Sequence, residues 1–123
     1  MTAPGVRRLH VTEDRVRAYS RRGNFHSDHE TSQRLGLPGL VAQGVQAAGP
    51  AYGALLDAWG EEFLAHGEIE MRFVGMVLAG DTVEARVATG GETDGEVGEA
   101  TFEVENITAP RTAVVGRARR SVR

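Results

Sequence analysis

The sequence predicts an α+β fold in which one antiparallel sheet wraps around a single buried helix. Three observations point to it. An apolar stretch at helical spacing lies near the middle of the chain, and the segments after it alternate charged and apolar side chains with period two. Turn-forming residues separate those segments. The chain has 123 residues, of which 41% are apolar, enough for one domain over 1–123 with a core of modest thickness.

In chain order, residues 5–11 read as a short first strand or an extended arm. Thr12 is placed to cap a helix running to about Ser20, with Glu13 and Asp14 putting negative charge in its first turn. Arg21-Arg22-Gly23-Asn24 ends that helix, because Gly and Asn tolerate positive φ. Ser27-Asp28-His29-Glu30 has the spacing of a capping box, opening a short helix from Ser27 that ends near Gly36. From Gly44 to about Trp59, the residues Val45, Ala48, Tyr52, Leu55, Leu56 and Trp59 fall at helical spacing, and no charge appears before Asp57. A helix apolar nearly all round is a buried one, predicted here over roughly 44–58. Gly49 and Gly53 leave gaps for a sheet backbone, and Pro50 implies a kink unless it lies in a first turn.

Glu68–Phe73, Thr82–Val87 and Glu99–Val104 each alternate with period two, and 112–119 forms a less regular strand. Turn chemistry at 79–81, 90–95 and 108–110 predicts consecutive hairpins with one apolar and one charged face. A lone apolar helix and such a sheet are both covered when the sheet curls around the helix, which is the hot-dog arrangement.

Composition excludes several chemistries. The chain has no Cys, so disulfides, thiolate nucleophiles and sulfur-bound metals are ruled out. All 14 basic residues are Arg, which removes Schiff-base lysines and a phosphate-loop lysine. A net charge of −3 carries no message about partners. No signal-like apolar region follows Met1 and no run of 18 apolar residues occurs, so the reading is a cytoplasmic protein without membrane contact. Five arginines within 111–123 sit on a strand pattern without the aromatic neighbours that base stacking needs. They read as a solvated face rather than a nucleic-acid patch, with contact to a phosphate as the lesser alternative.

Several segments, in this order, resemble the MaoC-like family of (R)-specific enoyl-CoA hydratases and 3-hydroxyacyl thioester dehydratases. Gly23-Asn24-Phe25-His26-Ser27-Asp28 resembles its Gly-Asp-x-Asn-Pro-x-His-x-Asp segment, and Ser32-Gln33-Arg34-Leu35-Gly36 its Ala-x-x-x-Gly. Leu40-Val41-Ala42-Gln43-Gly44-Val45 is similar to the stretch before its central helix, with Gln43 in place of His. Met71-Arg72-Phe73, with Ala79-Gly80-Asp81-Thr82-Val83, resembles its strand and turn, and Asn106 also fits. The resemblance spans roughly 12–118. It implies a hot-dog fold, an acyl thioester of coenzyme A or a carrier protein as substrate, no cofactor, and assembly with a second hot-dog chain, a copy or a relative.

It also implies a site. His26 takes the family's catalytic histidine position, and imidazole suits proton transfer near neutral pH; in isolation, a His in such a loop is more often structural. Gly44 opens the buried helix, where its amide can hold a thioester carbonyl and stabilise an enolate, or it is there for close packing. Gln43 and Asn24 can orient water or the carbonyl, or satisfy local backbone. Asp28 reads as a helix cap, and His10, His29 and His66 show no metal-ligand spacing. The family's Asp, five residues before its His, falls on Arg21, or on Arg22 if Asn24 is aligned with the motif's Asn. A guanidinium cannot act as the base. The resemblance therefore supports two expectations: a hydratase/dehydratase, or a non-catalytic acyl-binding or scaffolding subunit beside a complete MaoC-like chain. A thioesterase would need a carboxylate on the central helix, where Asp57 is available.

Overall fold

The structure, a computed structural model, describes residues 5–20, 24–93 and 97–121. Arg21 and Arg22, on which the missing-acid argument turns, lie outside the described residues. Among the described residues, five strands form one antiparallel sheet: β1 (Val6–His10), β2 (Gly67–Phe73), β3 (Thr82–Thr93), β4 (Val97–Asn106) and β5 (Arg111–Ser121). Their order is β1-β3-β4-β5-β2, which leaves β1 and β2 at the edges.

Three short helices, α1 (Glu13–Tyr19), α2 (His29–Arg34) and α3 (Gly44–Ala47), precede α4 (Gly49–Trp59), and α5 (Glu61–His66) follows it. Helix α4 packs against β3, β1 and β4, so the sheet wraps it as expected. Ala48, Ala51, Ala54 and Leu55 are fully buried at this contact. Burying a leucine this completely contributes about 1.5–3 kcal/mol. Inner-face residues Val83, Ala85, Ala100, Phe102, Val104, Val114 and Ala118 complete the core. Gly116 permits one close approach there. A Cβ at that position would stand 2.4 Å from the Glu70 carbonyl oxygen on β2 and 2.5 Å from the Phe102 ring.

Local patterns are reproduced where local chemistry decides them. Thr12 caps α1, its hydroxyl accepting from Arg15 N at 3.2 Å. Five expectations need correction. The single helix over 44–58 is two helices, because Pro50 sits in the first turn of α4 and Ala48 caps both segments. The α2 cap is Asp28 rather than Ser27: its carboxylate accepts from Glu30 N at 3.3 Å and from the Thr31 hydroxyl at 2.5 Å. The strands are not all consecutive hairpins. β2 pairs with β5, Glu70 opposite Arg117, and residues 74–81 carry the chain across to β3. The gaps at Gly49 and Gly53 hold no sheet backbone among the described residues: nothing beyond its own helix and chain neighbours lies within 4 Å of a Cβ at Gly49, and the Arg7 side chain fills the space at Gly53. Val45, assigned to the buried stripe, is 53% exposed.

The outer face of the sheet is a ladder of charges. Arg117 meets Glu70 at 3.0 Å, and Arg119 approaches Glu68 at 4.0 Å. Glu84 is buried beneath two arginines, accepting from Arg8 Nε at 2.5 Å and Arg86 Nε at 2.8 Å. These partners hold its carboxyl below the usual range, the Arg8 hydrogen bond having the largest effect and burial opposing it.

Candidate active site

The loop that carries His26 is built by Asn24. The Asn24 side-chain carbonyl accepts from His26 N at 2.9 Å, from the Ser20 hydroxyl at 3.2 Å and from the Ser27 hydroxyl at 3.4 Å. Its backbone carbonyl accepts from Ser27 N at 3.1 Å and Asp28 N at 2.8 Å. The backbone donor at His26 N requires the Asn24 oxygen on that side, so the carbonyl end of this amide is engaged in shaping the turn. Asp28 then caps α2, and Ser32, buried in α2, donates to Gly39 O at 2.5 Å.

His26 is half-buried, its ring 4.0 Å from that of Phe25. Its Nδ1 donates to the backbone carbonyl of Val41. A carbonyl only accepts, so Nδ1 bears the hydrogen and, in the neutral ring, Nε2 presents its lone pair. Val41 is held on both sides. Its N–H donates to Phe25 O at 3.3 Å, while Ala42 N donates to Val77 O at 2.8 Å and Ala79 N to Leu40 O at 2.9 Å. An antiparallel bridge joins Val41 to Leu78. Segments 24–26, 40–42 and 77–79 thus lie side by side.

Gln43 and Gly44 follow directly. Gln43 occupies the cap position of α3 without a side-chain capping bond, and Gly44 opens that helix. The first-turn amides of a helix have no acceptor within it. The Phe73 ring, at the end of β2, lies on Gly44, where a Cβ would stand 2.8 Å from its nearest carbon. Phe73, Val74 and Val45 are each more than half exposed, so apolar surface surrounds the start of α3. His26, Asn24, Gln43 and Gly44 are therefore linked through the single stretch Val41–Gly44. Sequence reasoning missed the Val41 carbonyl and the Phe73 ring. A backbone acceptor carries no residue signature, whereas an aromatic residue closing a period-two strand was a readable signal for the second.

Two open concavities of about 830 and 440 Å³ lie on the charged outer face. Glu70, Thr101 and Arg117 line the first, and Glu84, Arg86 and Glu103 the second. None of the four candidate residues lines either. Asp57 is held by Arg7 through two hydrogen bonds of 2.7 Å, which place its carboxyl below the usual range. His29 meets the Glu13 carboxylate, tying α2 to α1. Among the described residues no cluster of His, Asp or Glu has the arrangement of a metal site, and no helix is long and apolar enough to cross a membrane.

A family model described as a MaoC-like domain matches residues 2–110. Among solved structures, the ChsH1–ChsH2 complex from Mycobacterium tuberculosis is similar with a TM-score of 0.77 at 16% identity, covering 100% of both chains. The R-hydratase PhaJ1 from Pseudomonas aeruginosa gives 0.78 at 16% identity, over 93% of this chain and 76% of that one. The (R)-hydratase from A. caviae involved in PHA biosynthesis gives 0.76 at 17% identity, over 100% and 98%. Likeness at this identity establishes the hot-dog fold. No curated protein matches the chain in sequence.

Proposed function

Because the chain belongs to the MaoC-like domain family, we propose that it is a hydratase or dehydratase of acyl thioesters. It adds water to an enoyl thioester, or removes it from a 3-hydroxyacyl thioester, carried on coenzyme A or a carrier protein. The observation that carries this reading is the His26 ring, with Nδ1 bonded to the carbonyl of Val41, which lies just before Gly44 at the start of α3, and Nε2 left as acceptor.

In the hydration direction, Nε2 takes a proton from water as the water oxygen bonds to the β-carbon. The electron pair of the double bond moves into the thioester as an enolate, whose oxygen is met by the Gly44 amide. The imidazolium then returns the proton to the α-carbon, and the sum is one water added. Dehydration is the reverse. His26 performs both transfers, since residues 19–24 read Tyr-Ser-Arg-Arg-Gly-Asn and hold no carboxylate. Gln43 and the amino group of Asn24 orient the water or the thioester carbonyl.

A second hot-dog chain, a copy or a relative, completes the site. The support is the unpaired β2 edge and the exposed Phe73, Val74 and Val45 around Gly44, together with a similar structure that is a complex of two differently named components. A cytoplasmic location is part of the same proposal. The engagement of Asp57 by Arg7 speaks against the thioesterase reading.

The test compares wild type, His26→Ala and Arg21→Asp on a panel of enoyl and 3-hydroxyacyl thioesters. General acid–base catalysis by one group is worth about 10²–10⁴-fold, so His26→Ala should lose that factor. Arg21→Asp, restoring the family's acid, should raise turnover above wild type. Equal turnover of wild type and His26→Ala removes His26 from the mechanism. No turnover in either, with acyl ligand still bound, replaces the enzyme by the non-catalytic subunit, the reading that the arginines at 21 and 22 favour.

A further inference from the structure

Two buried polar side chains outside the site, Asp81 and Asn106, have no part in the chemistry above. Asp81 is 7% exposed and Asn106 1% exposed. One oxygen of Asp81, Oδ2, accepts from Asn106 Nδ2 at 2.7 Å and from Leu78 N at 2.9 Å. The Asn106 carbonyl accepts from Thr108 N and Ala109 N, both at 3.1 Å. The pair therefore fastens the crossover turn before β3 to the turn between β4 and β5. Backbone bonds fix the same turn: Asp81 N donates to Leu78 O at 3.0 Å, and Val11 N to Asp81 O at 2.8 Å.

The residue whose N–H Asp81 holds, Leu78, is the one bridged to Val41, and the carbonyl of Val41 receives His26 Nδ1–H. The connection is short and continuous. It runs from Asn106 to the Asp81 carboxylate, to the Leu78 backbone, across the bridge to Val41, and to the imidazole. Val41 is flanked by Leu40 O and Ala42 N, which residues 77–79 hold on one side, while its own N–H is bonded to Phe25 O on the other. A buried acceptor serving two donors is costly to remove, because both donors would be left unpaired away from water.

We propose that Asp81 and Asn106 are positioning residues for His26, acting through the Leu78–Val41 bridge to fix the ring's tautomer and orientation. This inference rests on the reading of His26 as the proton-transfer group, but its primary readout does not require turnover. Loss of the anchor frees the Val41 carbonyl to shift. The ring then loses the acceptor that selects Nδ1–H, and both neutral tautomers become populated.

The experiment is ¹⁵N NMR of the histidine rings in the full chain, at alkaline pH where imidazole is neutral, with His26→Gln identifying the His26 signals among four histidines. Wild type, Asp81→Ala, Asn106→Ala and Asp81→Asn are compared, each with a thermal melt to establish folding. Wild type should show the Nδ1–H tautomer alone. The two alanine variants should melt cooperatively and show averaged Nδ1 and Nε2 shifts, with any turnover reduced by up to about 100-fold, as expected when a reacting group is displaced by ~1 Å. Asp81→Asn keeps a carbonyl oxygen able to accept both bonds and should restore the wild-type ring shifts.

Folded alanine variants with the wild-type tautomer overturn the proposal. So does a folded Asp81→Asn that behaves like Asp81→Ala. Should Asp81→Ala fail to fold, Asn106→Ala, which leaves the Leu78 bond intact, decides the matter. Failure of both to fold makes the pair a folding determinant and also refutes the positioning role. If the tautomer shifts in the variants while wild type turns over no thioester, the positioning stands and the hydratase reading falls.

Discussion

Replacing Gly44 by alanine separates the two roles open to that residue. The added Cβ would lie 2.8, 2.9 and 3.0 Å from Cδ1, Cε1 and Cγ of Phe73. Carbon atoms rest at about 3.5–4.0 Å, so the ring must retreat by roughly 0.5–1 Å. Phe73 is 52% exposed at an edge strand, so it can swing outward without compressing the core. The steric cost should fall at the low end of overpacking, about 1 kcal/mol. Alanine in place of glycine returns about 0.4–1 kcal/mol through the unfolded chain. The net change in stability is then small, no more than about 1 kcal/mol. Urea unfolding of wild type, Gly44→Ala, Phe73→Ala and the double variant measures the coupling. If Phe73 is what the Cβ meets, Gly44→Ala costs less in the Phe73→Ala background, and the two changes are not additive. Turnover of an enoyl thioester is followed in parallel. A packing role predicts that the double variant performs like Phe73→Ala alone. An amide that needs open space beside it for the thioester carbonyl predicts that turnover stays low after stability recovers. Additive stabilities would refute the steric account of Gly44, and recovered turnover would refute the amide's role in the reaction.

Two further outcomes follow from other parts of the molecule. Glu84 has its carboxyl below the ordinary range in the folded chain, so the folded state holds fewer protons on it than the unfolded chain does in acid. Its contribution is present above the unfolded value of about 4.3 and is lost as pH falls through the folded one. Urea midpoints measured from pH 7 to pH 3 should therefore decline more steeply in wild type than in Glu84→Gln, and parallel declines would show that Arg8 and Arg86 contribute nothing through this group. Light scattering at micromolar concentration should report about twice the mass of one chain, since the apolar surface around Gly44 and the β2 edge stay uncovered in a single copy; a single-chain mass would argue against a site shared between copies.

How much of this was legible depends on how far apart in sequence the deciding partners lie. The Thr12 cap, the period-two strands and the His26 loop depend on neighbours within a few residues, and the sequence displays them. Alternation assigns a face to Glu68–Phe73 but no neighbour, so the pairing of β2 with β5 instead of β3 was invisible, and consecutive hairpins were the default expectation. Helix α5 has six residues and only Phe63 buried, too little for a period to emerge. At 27–28, serine and aspartate can both cap, and Asp28 prevails because its carboxylate reaches the Thr31 hydroxyl as well as Glu30 N. Glu84 belongs to the charged face by its period, yet it is buried because the long side chains of Arg8 and Arg86 close over it.

The candidate site divides along the same line. Residue types named the imidazole, but its acceptor is a carbonyl 15 positions away, a group that every residue carries. Asn24 was weighed between substrate and local backbone, and its carbonyl proves to be committed to the turn, leaving only the amino group for a ligand. Gly-Asp-Thr at 80–82 and Asn106 stood out in sequence only as pieces of a resemblance, without a physical reason for their presence. The contact between Asp81 and Asn106 supplies that reason, and it lies across 25 residues on two turns that have no proximity until the sheet has formed. A motif spread over distant turns in this way encodes a tertiary restraint on the His26 loop. Substitutions at Asp81 or Asn106 should therefore register first at Val41 and His26, before they register in the amount of sheet.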